Sequence, residues 1–316
     1  MTFSLKESIY NAKKKVTQPY KTICEICEYK DYKYAPLIPD KLFLKCFYRK
    51  HLNKKLNLKN PQTFNEKLQW LKLYDRKPIY TTMVDKATMK DYVSNVIGDG
   101  YEIKTIGIYK NVEEIPFDQL PDKYVVKCTH DSGSAFICRD KSKINLESLK
   151  HRITEKLKKN YYWYGREWCY KRVVPRIIVE EYLDDNGKDL LDYKLFCFNG
   201  QVKLYDIHFN RFGNHKTNLY NINGDLLNFE FENMPSDPDI IAKRPDKFSE
   251  MVTIAEILSK DIPFLRVDFY SVNNRIYVGE LTFYPSSGVQ GFTNSGDNIL
   301  GRMLELPKKQ KGERFI

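Results

Sequence analysis

Two segments near the C-terminal end, LRVDFYSV at residues 265–272 and IYVGELTF at residues 276–283, decide the fold of this chain. Their length and their apolar, β-branched content predict the two strands of a hairpin. Side chains alternate along a strand, so a three-residue connection would place Asp268 directly opposite Glu280. A two-residue Asn-Asn turn at 273–274 would instead put the two acids on opposite faces of the sheet.

Opposed carboxylates repel each other and destabilise a sheet unless a cation lies between them. A hard cation with oxygen ligands would remove that cost, and magnesium bridging to phosphates fits best. Arg266 and Thr282 would then face each other one pair further along the hairpin. The alternative is an edge hairpin with two surface acids, in which Arg266 serves as an ion-pair partner.

Five further predicted strands precede this hairpin. Residues 124–128 and 135–138 form a predicted hairpin around the small-residue loop His130-Asp131-Ser132-Gly133-Ser134. Residues 176–183 form a single strand. Residues 192–198 and 201–208 are joined by Asn-Gly, which is the strongest short hairpin signal.

Helices are predicted between and before these strands. Asp40 can cap an apolar pattern, and Thr63 with Glu66 forms a capping-box pattern, so we expect helices within residues 40–75. Further helices are predicted at 85–93, 146–157 and 248–258, and an additional strand at 101–108.

Lysines and a flexible loop suggest a nucleotide site. Lys127 ends a strand beside the loop Ser132-Gly133-Ser134, whose backbone N–H groups suit phosphates. No Walker pattern is present, and an ordinary hairpin turn is the alternative. The acidic strand end Glu180-Glu181-Tyr182-Leu183 could present backbone groups to adenine, or protect a sheet edge by its charge. Lys194 is a further candidate phosphate contact, or a surface lysine.

The composition bounds the class of protein. The 316 residues are 42% hydrophobic and 29% charged, which excludes global disorder. The formal net charge of +11 favours anionic partners without choosing among nucleotides, nucleic acids, acidic glycans or an anionic membrane face. No signal peptide or apolar span is apparent, and the seven cysteines are scattered. We therefore expect a cytoplasmic protein with free thiols, and contact with the inner face of the membrane as a further option.

Three motifs give the chain a family resemblance: FNEKLQWLK at 64–72, YGREW at 164–168 and GELTF at 279–283. Together with the order of the lysines and acids, they resemble the ATP-grasp superfamily. More narrowly, they resemble its TupA-like family, which is associated with teichuronopeptide and other bacterial surface-polysaccharide synthesis. The resemblance runs from about Pro39 to Pro307.

The resemblance implies an α+β ATP-grasp fold that holds the nucleotide between two lobes of antiparallel sheet plus helices. It also implies a division of the chain along its length. The expected parts are a basic N-terminal arm (1–38), a helical N-terminal lobe (39–110), a small lobe with the phosphate loop (111–183), a large lobe with the metal site (184–307) and a basic tail (308–316).

The resemblance further assigns roles by position, with ATP and Mg²⁺ as cofactors. The metal position held here by Thr282 is usually Asn, so its hydroxyl would be a weaker ligand. The implied roles are phosphate binding by Lys86 and Lys127, loop closure by Ser132, Gly133 and Ser134, adenine binding by Glu180, Glu181, Tyr182 and Leu183, metal ligation by Asp268, Glu280 and Thr282, and catalysis by Arg266 and Lys194.

The expected reaction follows from charge. Magnesium and lysines offset the repulsion between a carboxylate and the γ-phosphate, so phosphoryl transfer gives an acyl phosphate that an amine attacks. We expect a ligase that joins an amino acid or amine to a uronic acid of a surface polysaccharide or its precursor, with no nucleic acid partner. The alternatives are an ATP-grasp kinase acting on a glycan sugar and a non-catalytic polyanion-binding protein.

Several residues are candidate substrate contacts. Aromatic rings near Arg166 and Trp168 could stack on sugar faces, or they could form a lobe interface. Arg211, Ser286 and Ser287 are further candidates. The lone CxxC at 24–27 has no second pair nearby, so we expect it to be structural.

Overall fold

Two antiparallel β-sheets organise the protein. The computed structural model describes residues 19–28, 32–184, 190–209, 215–240 and 244–308. Most of the expected N-terminal arm and of the basic tail therefore lies outside the described residues. Within them, no helix is long and apolar enough to cross a membrane.

The elements are numbered in chain order. The helices are α1 (Pro19–Glu28), α2 (Asp40–Leu52), α3 (Phe64–Tyr74), α4 (Ile79–Val84), α5 (Thr88–Ile97), α6 (Leu146–Leu157), α7 (Tyr162–Gly165), α8 (Phe248–Leu258) and α9 (Gly296–Met303). The strands are β1 (Thr105–Tyr109), β2 (Tyr124–Cys128), β3 (Phe136–Cys138), β4 (Ile177–Glu181), β5 (Asp192–Phe198), β6 (Gln201–Phe209), β7 (Lys216–Asn221), β8 (Phe264–Val272) and β9 (Arg275–Thr282).

The small sheet has the strand order β1-β4-β2-β3, with antiparallel pairing throughout. Side chains alternate between the two faces along each strand. Val126 and Val179 are therefore buried on one face, in the same apolar cluster as Leu149 and Ile153 of α6. The opposite face carries Lys127 together with its neighbours on β4. One face of this sheet is thus a core surface, and the other is available for polar groups.

The large sheet has the order β7-β6-β5-β8-β9. The side chains of Leu195, Val267 and Leu281 are fully buried in the main core, which also contains Met251 and Leu258 of α8. Because side chains alternate, the residues between these apolar positions all point to the other face of the sheet. That second face holds four of the charged residues that the sequence singles out, namely Lys194, Arg266, Asp268 and Glu280.

The β8–β9 hairpin reaches the expected register by an unexpected route. Its turn has two residues, Asn273 and Asn274, both with positive φ (49° and 59°). In a regular ladder, a three-residue connection is needed to place the two acids opposite each other. A β-bulge at Gly279 adds the missing residue, so Asp268 lies opposite Glu280. A Cβ at Gly279 would lie 2.6 Å from the Tyr270 ring, so a larger residue at this bulge would have to displace that ring.

Most of the predicted elements are confirmed, and the differences have local causes. The capping box of Thr63 and Glu66 is present at the start of α3. Asp40 is not the cap of α2, because Pro39 holds that position. The helix predicted from residue 85 begins at Thr88, since the Asp85 carboxylate accepts the Ala87 N–H and holds a turn. Strand β7 and helices α1, α4, α7 and α9 were not predicted.

Candidate active site

A row of charged residues crosses four strands of the large sheet. Lys194 on β5 is paired with Asp206 on β6 and with Asp268 on β8, and Asp268 is paired in turn with Glu280 on β9. Directly paired residues share a face, so these side chains lie side by side on the face that points away from the core. The register alone therefore brings together one predicted catalytic residue and two predicted metal ligands.

Asp268 is the centre of this row. Its Oδ2 accepts from Lys194 Nζ at 2.6 Å and from Arg266 Nη2 at 2.7 Å, while its Oδ1 accepts from Arg266 Nε at 2.6 Å. Lys194 also donates to Asp192 at 2.6 Å. Burial lowers the pKa of Lys194, but Asp192 and Asp268 more than offset this, and the pKa is raised above its usual value. The Lys194 and Arg266 side chains are therefore both held in place, as cations, by the buried Asp268 carboxylate.

Glu280 and Thr282 offer oxygen atoms beside this cluster. The half-buried Glu280 makes no ion pair among the described residues, and Thr282 Oγ1 accepts from Arg266 Nη2 at 3.2 Å. These donors are all oxygen, which suits a hard cation such as magnesium. Within the described ranges there is no cluster of three His, Cys, Asp or Glu side chains arranged for a metal. A divalent ion here would therefore complete its coordination with phosphate and water oxygens.

On the small sheet, Glu180 joins two lysines. Its carboxylate lies 2.6 Å from Lys127 Nζ and 2.6 Å from Lys90 Nζ. Burial raises the pKa of Glu180, but Lys127 and Lys90 outweigh it, and the pKa is lowered. Lys90 was not singled out in the sequence. It follows the predicted phosphate ligand Lys86 by four residues, within the helix predicted at 85–93, so the two lysines were expected on one helix face.

The predicted phosphate loop is anchored on one side and open on the other. Ser134 is buried, accepts from the Cys128 N–H at 3.0 Å and donates to Asp131. Lys86 donates to the Asp131 carbonyl oxygen. Ser132 and Gly133 are exposed at the tip, and Gly133 has a φ of +84°. The loop thus has a fixed base and an exposed tip, where the Ser132 side chain is hydrogen-bonded with Tyr161.

A cleft of about 680 Å³ opens between this loop tip and the large sheet. Ser132 lines it from the loop side, and Arg266, Glu280 and Thr282 line it from the hairpin. The cleft therefore joins predicted residues from distant parts of the chain. Its wall also includes Ser286 and Ser287, together with Tyr161, Tyr164, Glu167, Tyr170, Glu232 and Tyr284.

Helix α3, which carries the FNEKLQWLK motif, supports one wall of the cleft. The Asn65 amide exchanges two hydrogen bonds with the Gln290 backbone, at 2.8 and 3.1 Å. Gln69 Nε2 donates to the Ser287 and Gly288 carbonyls. These residues and Lys72 are spaced i, i+4 and i+7, so they occupy one face of the helix. The motif is therefore a scaffold for the loop at 285–290.

The supported loop is strained. Ser286 and Ser287 have φ values of 48° and 52°, which non-glycine residues rarely adopt. Lys72 Nζ donates to Ser287 O, Ser287 Oγ and Gly165 O at 2.8, 3.0 and 2.7 Å. A Cβ at Gly165 would lie 1.8 Å from Ser287 Oγ, so the glycine of the YGREW motif permits this contact. Two of the three motifs thus meet at Ser287.

Residues 66–305 match the family described as TupA-like ATPgrasp. The chain belongs to this family. The expected ATP-grasp fold, with two antiparallel sheets and flanking helices, is thereby confirmed.

Solved structures give more distant similarities to this TupA-like protein. The D-alanine–D-alanine ligase from Bacillus anthracis is 14% identical, with a TM-score of 0.37 over 69% of this chain and 59% of that one. A RimK domain ATP-grasp protein from Sphaerobacter thermophilus is 12% identical, with a TM-score of 0.41 over 73% and 69%. The ATP-grasp ligase PsnB with its minimal precursor is 10% identical, with a TM-score of 0.36 over 69% and 58%. This chain thus spans less than two thirds of two of these ligases. A comparison with curated proteins gives no match.

Glu167 is a cleft residue of this TupA-like protein that the sequence did not single out. It is 4% exposed, and burial raises its pKa to about 7, although Lys72 and a hydrogen bond from Ser287 oppose the shift. Burial lowers the pKa of Lys72 to about 8, while Glu167 opposes that shift. A carboxylate with a pKa near neutrality inside a cleft is suited to proton transfer.

The neighbouring Arg166 does not reach the cleft. It is fully buried, donates to the Ala35 and Ile38 carbonyls at 2.7 and 3.2 Å, and lies 4.8 Å from the Phe43 ring centroid. The expected sugar contact is thus replaced by a structural role, because Arg166 fastens the segment before α2. Trp168 is half-buried outside the cleft lining, and Arg211 lies outside the described residues.

The predicted adenine segment follows Glu180 at the edge of the small sheet. Glu181 is exposed and pairs with Lys104 at 2.7 Å, and the Tyr182 ring lies 5.7 Å from Lys123 Nζ. Leu183 shares a second groove with Glu181. These residues, like Lys86, Lys127 and Lys194, do not line the 680 Å³ cleft.

Proposed function

We propose that this TupA-like protein uses ATP and Mg²⁺ to convert a carboxylate into an acyl phosphate, which an amine then attacks to form an amide. The observation that carries the proposal is the opposition of Asp268 and Glu280 beside Arg266 and Lys194. This arrangement faces a cleft that also receives the tip of the small-residue loop at Ser132.

The cations of the site would serve the phosphates of ATP. Arg266 and Lys194 are held on Asp268, and phosphate oxygens offer both of them an anionic alternative partner. Lys127 and Lys90, held on Glu180, form a second pair of cations on the small sheet. Positive groups fixed in advance stabilise the charge that develops during phosphoryl transfer without reorganising at that moment.

A magnesium ion fits the oxygen donors of Glu280, Asp268 and Thr282, because Glu280 makes no ion pair among the described residues. When bound, it would supply Lewis-acid neutralisation of the phosphate charge. Ser132 and Gly133, at the exposed loop tip, would exclude water from the acyl phosphate, which otherwise hydrolyses.

We further propose that the carboxylate belongs to a uronic acid of a bacterial surface polysaccharide or its precursor. The chain belongs to the TupA-like family, and the polysaccharide synthesis that this resemblance implies favours such a substrate. The net charge of +11 also suits an acidic glycan. The reaction would take place in the cytoplasm, where ATP is available.

The test uses the double variant Asp268→Asn with Glu280→Gln. We expect loss of ATP-dependent ADP release and of amide products when uronic acids and amines are supplied with ATP, as measured by mass spectrometry. The matched control Asp118→Asn changes an exposed acid far along the chain and should retain both activities. Undiminished turnover in the double variant would remove this mechanism, and a phosphoester in place of an amide would identify a kinase.

A further inference from the structure

One group of residues in the cleft lining consists of acids and tyrosines. Its carboxylates are Glu167 and Glu232, in addition to the proposed metal ligand Glu280. The basic residues in the lining are Arg266, which is already bonded to Asp268, and the exposed His51. An anionic substrate would therefore be repelled from this part of the cleft, and a cation would be attracted.

The tyrosines form an aromatic wall. The rings of Tyr161 and Tyr164 are stacked with centroids 5.8 Å apart, and Tyr170 meets Tyr161 edge-on at 4.9 Å. Tyr170 is nearly buried, whereas Tyr164 is 44% exposed at the mouth. Aromatic faces attract ammonium groups, and they do so more strongly where water is excluded.

The two remaining acids lie at different depths. Glu167 is 4% exposed and hydrogen-bonded by Ser287, whereas Glu232 is exposed and makes no ion pair among the described residues. The cleft thus offers a negative charge at its mouth and a second one in its interior. A cation entering past the outer acid would reach the inner one beside the proposed metal site.

We infer that this acidic, tyrosine-lined part of the cleft binds the amine substrate as an ammonium ion, and that Glu167 accepts the proton that frees the nitrogen lone pair. We call it the amine pocket, formed by Tyr161, Tyr164, Glu167, Tyr170 and Glu232. The inference rests on the proposed ligase function. It assigns the acidic glycan to the Arg266 side and the amine to the Glu167 side.

Amide formation at this site moves two protons away from the ammonium nitrogen. Glu167 takes one proton from the ammonium, and the nitrogen lone pair attacks the carbonyl carbon of the acyl phosphate. A C–N bond forms, the bond between the carbonyl carbon and the phosphate oxygen breaks, and the second nitrogen proton leaves with the phosphate as hydrogen phosphate. The products are the amide, hydrogen phosphate and protonated Glu167, which returns its proton to solvent.

The ionisation of Glu167 supports this role. Burial raises its pKa to about 7, so a large share of molecules carry the carboxylate at neutral pH while its proton affinity stays high. The titratable groups that act on it come from several elements. They are Lys72 on α3, Glu280 on β9, and Tyr161, Cys169, Tyr170 and Tyr284.

The experiment compares two nucleophiles in the Glu167→Gln variant. Hydroxylamine is largely uncharged at neutral pH and traps an acyl phosphate as a hydroxamate without needing a base. The probes are hydroxylamine and a panel of ethanolamine, L-alanine and L-lysine, each with ATP, Mg²⁺ and D-glucuronate or D-galacturonate. We expect hydroxamate formation within about twofold of wild type, but a loss of about 100-fold in kcat for amide formation, as for removal of a general base.

Two further readouts separate a base from a structural residue. Wild-type amide formation should rise with pH through about 7, and this limb should vanish in Glu167→Gln. Glu232→Gln should raise KM for the amine with little change in kcat, while the exposed control Glu113→Gln should change neither.

The outcomes are distinct. Equal loss of hydroxamate and amide in Glu167→Gln would overturn the inference, because the residue would then serve the whole site. An unchanged amide rate would overturn it as well. If wild-type protein forms neither ADP nor hydroxamate with any probe, the ligase proposal itself fails.

Discussion

Lys72 connects the stability of the fold to the chemistry of the cleft, so Lys72→Met is an informative perturbation. Its ammonium is fully buried and makes three hydrogen bonds, each of which stabilises by about 1.5–3 kcal/mol when the donor is charged. A pKa lowered by burial to about 8 means that burying the charge costs roughly 3 kcal/mol. The difference predicts a loss of about 1.5–6 kcal/mol in the free energy of unfolding.

The substitution should also alter the cleft. Lys72 opposes the rise in the pKa of Glu167, so its removal should move that pKa above about 7. The pH at which amide formation begins to rise should increase accordingly. Urea denaturation followed by fluorescence measures the first effect, and a pH–rate profile at saturating ATP measures the second.

Lys67→Met is the matched control. Lys67 lies on the same helix and donates to the Gly301 and Leu304 carbonyls at 2.8 and 2.7 Å, but, unlike Lys72, it is not among the groups that shift the pKa of Glu167. It should lower stability and leave the pH–rate profile in place. A Lys72→Met protein as stable as wild type, or an equal shift of the profile in Lys67→Met, would refute the reasoning.

Two other substitutions test separate parts of the structure. Glu180→Gln leaves Lys90 and Lys127 without their shared counter-charge and should cost about 3–5 kcal/mol at neutral pH, measured by urea denaturation. Because the pKa of Glu180 is lowered in the folded protein, its carboxylate contributes stability at pH values above the pKa of the unfolded chain, and this contribution is lost as the pH falls. The Glu180→Gln variant should therefore lose less stability than wild type on acidification. Equal acid sensitivity of the two proteins would count against the ion pairs. Thr63→Ala removes the cap of α3 and should cost about 1 kcal/mol, which Thr63→Ser should largely restore in thermal melts.

The hairpin shows how far the sequence leads. Alternation along the strands predicted the opposition of Asp268 and Glu280, but only for an odd-length turn. The observed turn is even, and the bulge at Gly279 supplies the extra residue that restores the register. A glycine inside a strand does signal a bulge, so this part was within reach of the sequence.

Other residues were not predictable from local patterns. Arg166 follows an aromatic run typical of a sugar site, yet its partners Ala35 and Phe43 lie more than a hundred residues earlier in the chain. Glu167 was passed over beside it, because neighbouring positions say nothing of which side chain faces the cleft. Only long-range packing decides that one is buried in the core and the other lines the cleft.

The bulge beside Glu280 has a consequence for the comparison of related sequences. Asp268 and Glu280 face the same side only if one extra residue is present between them, in the turn or in a strand. In this protein that residue lies in strand β9. A relative with a three-residue turn and no bulge residue before the glutamate would also present both carboxylates on the same side of the sheet. Insertions and deletions in this hairpin should therefore occur as compensating pairs, and an alignment that ignores them would shift half a strand by one position.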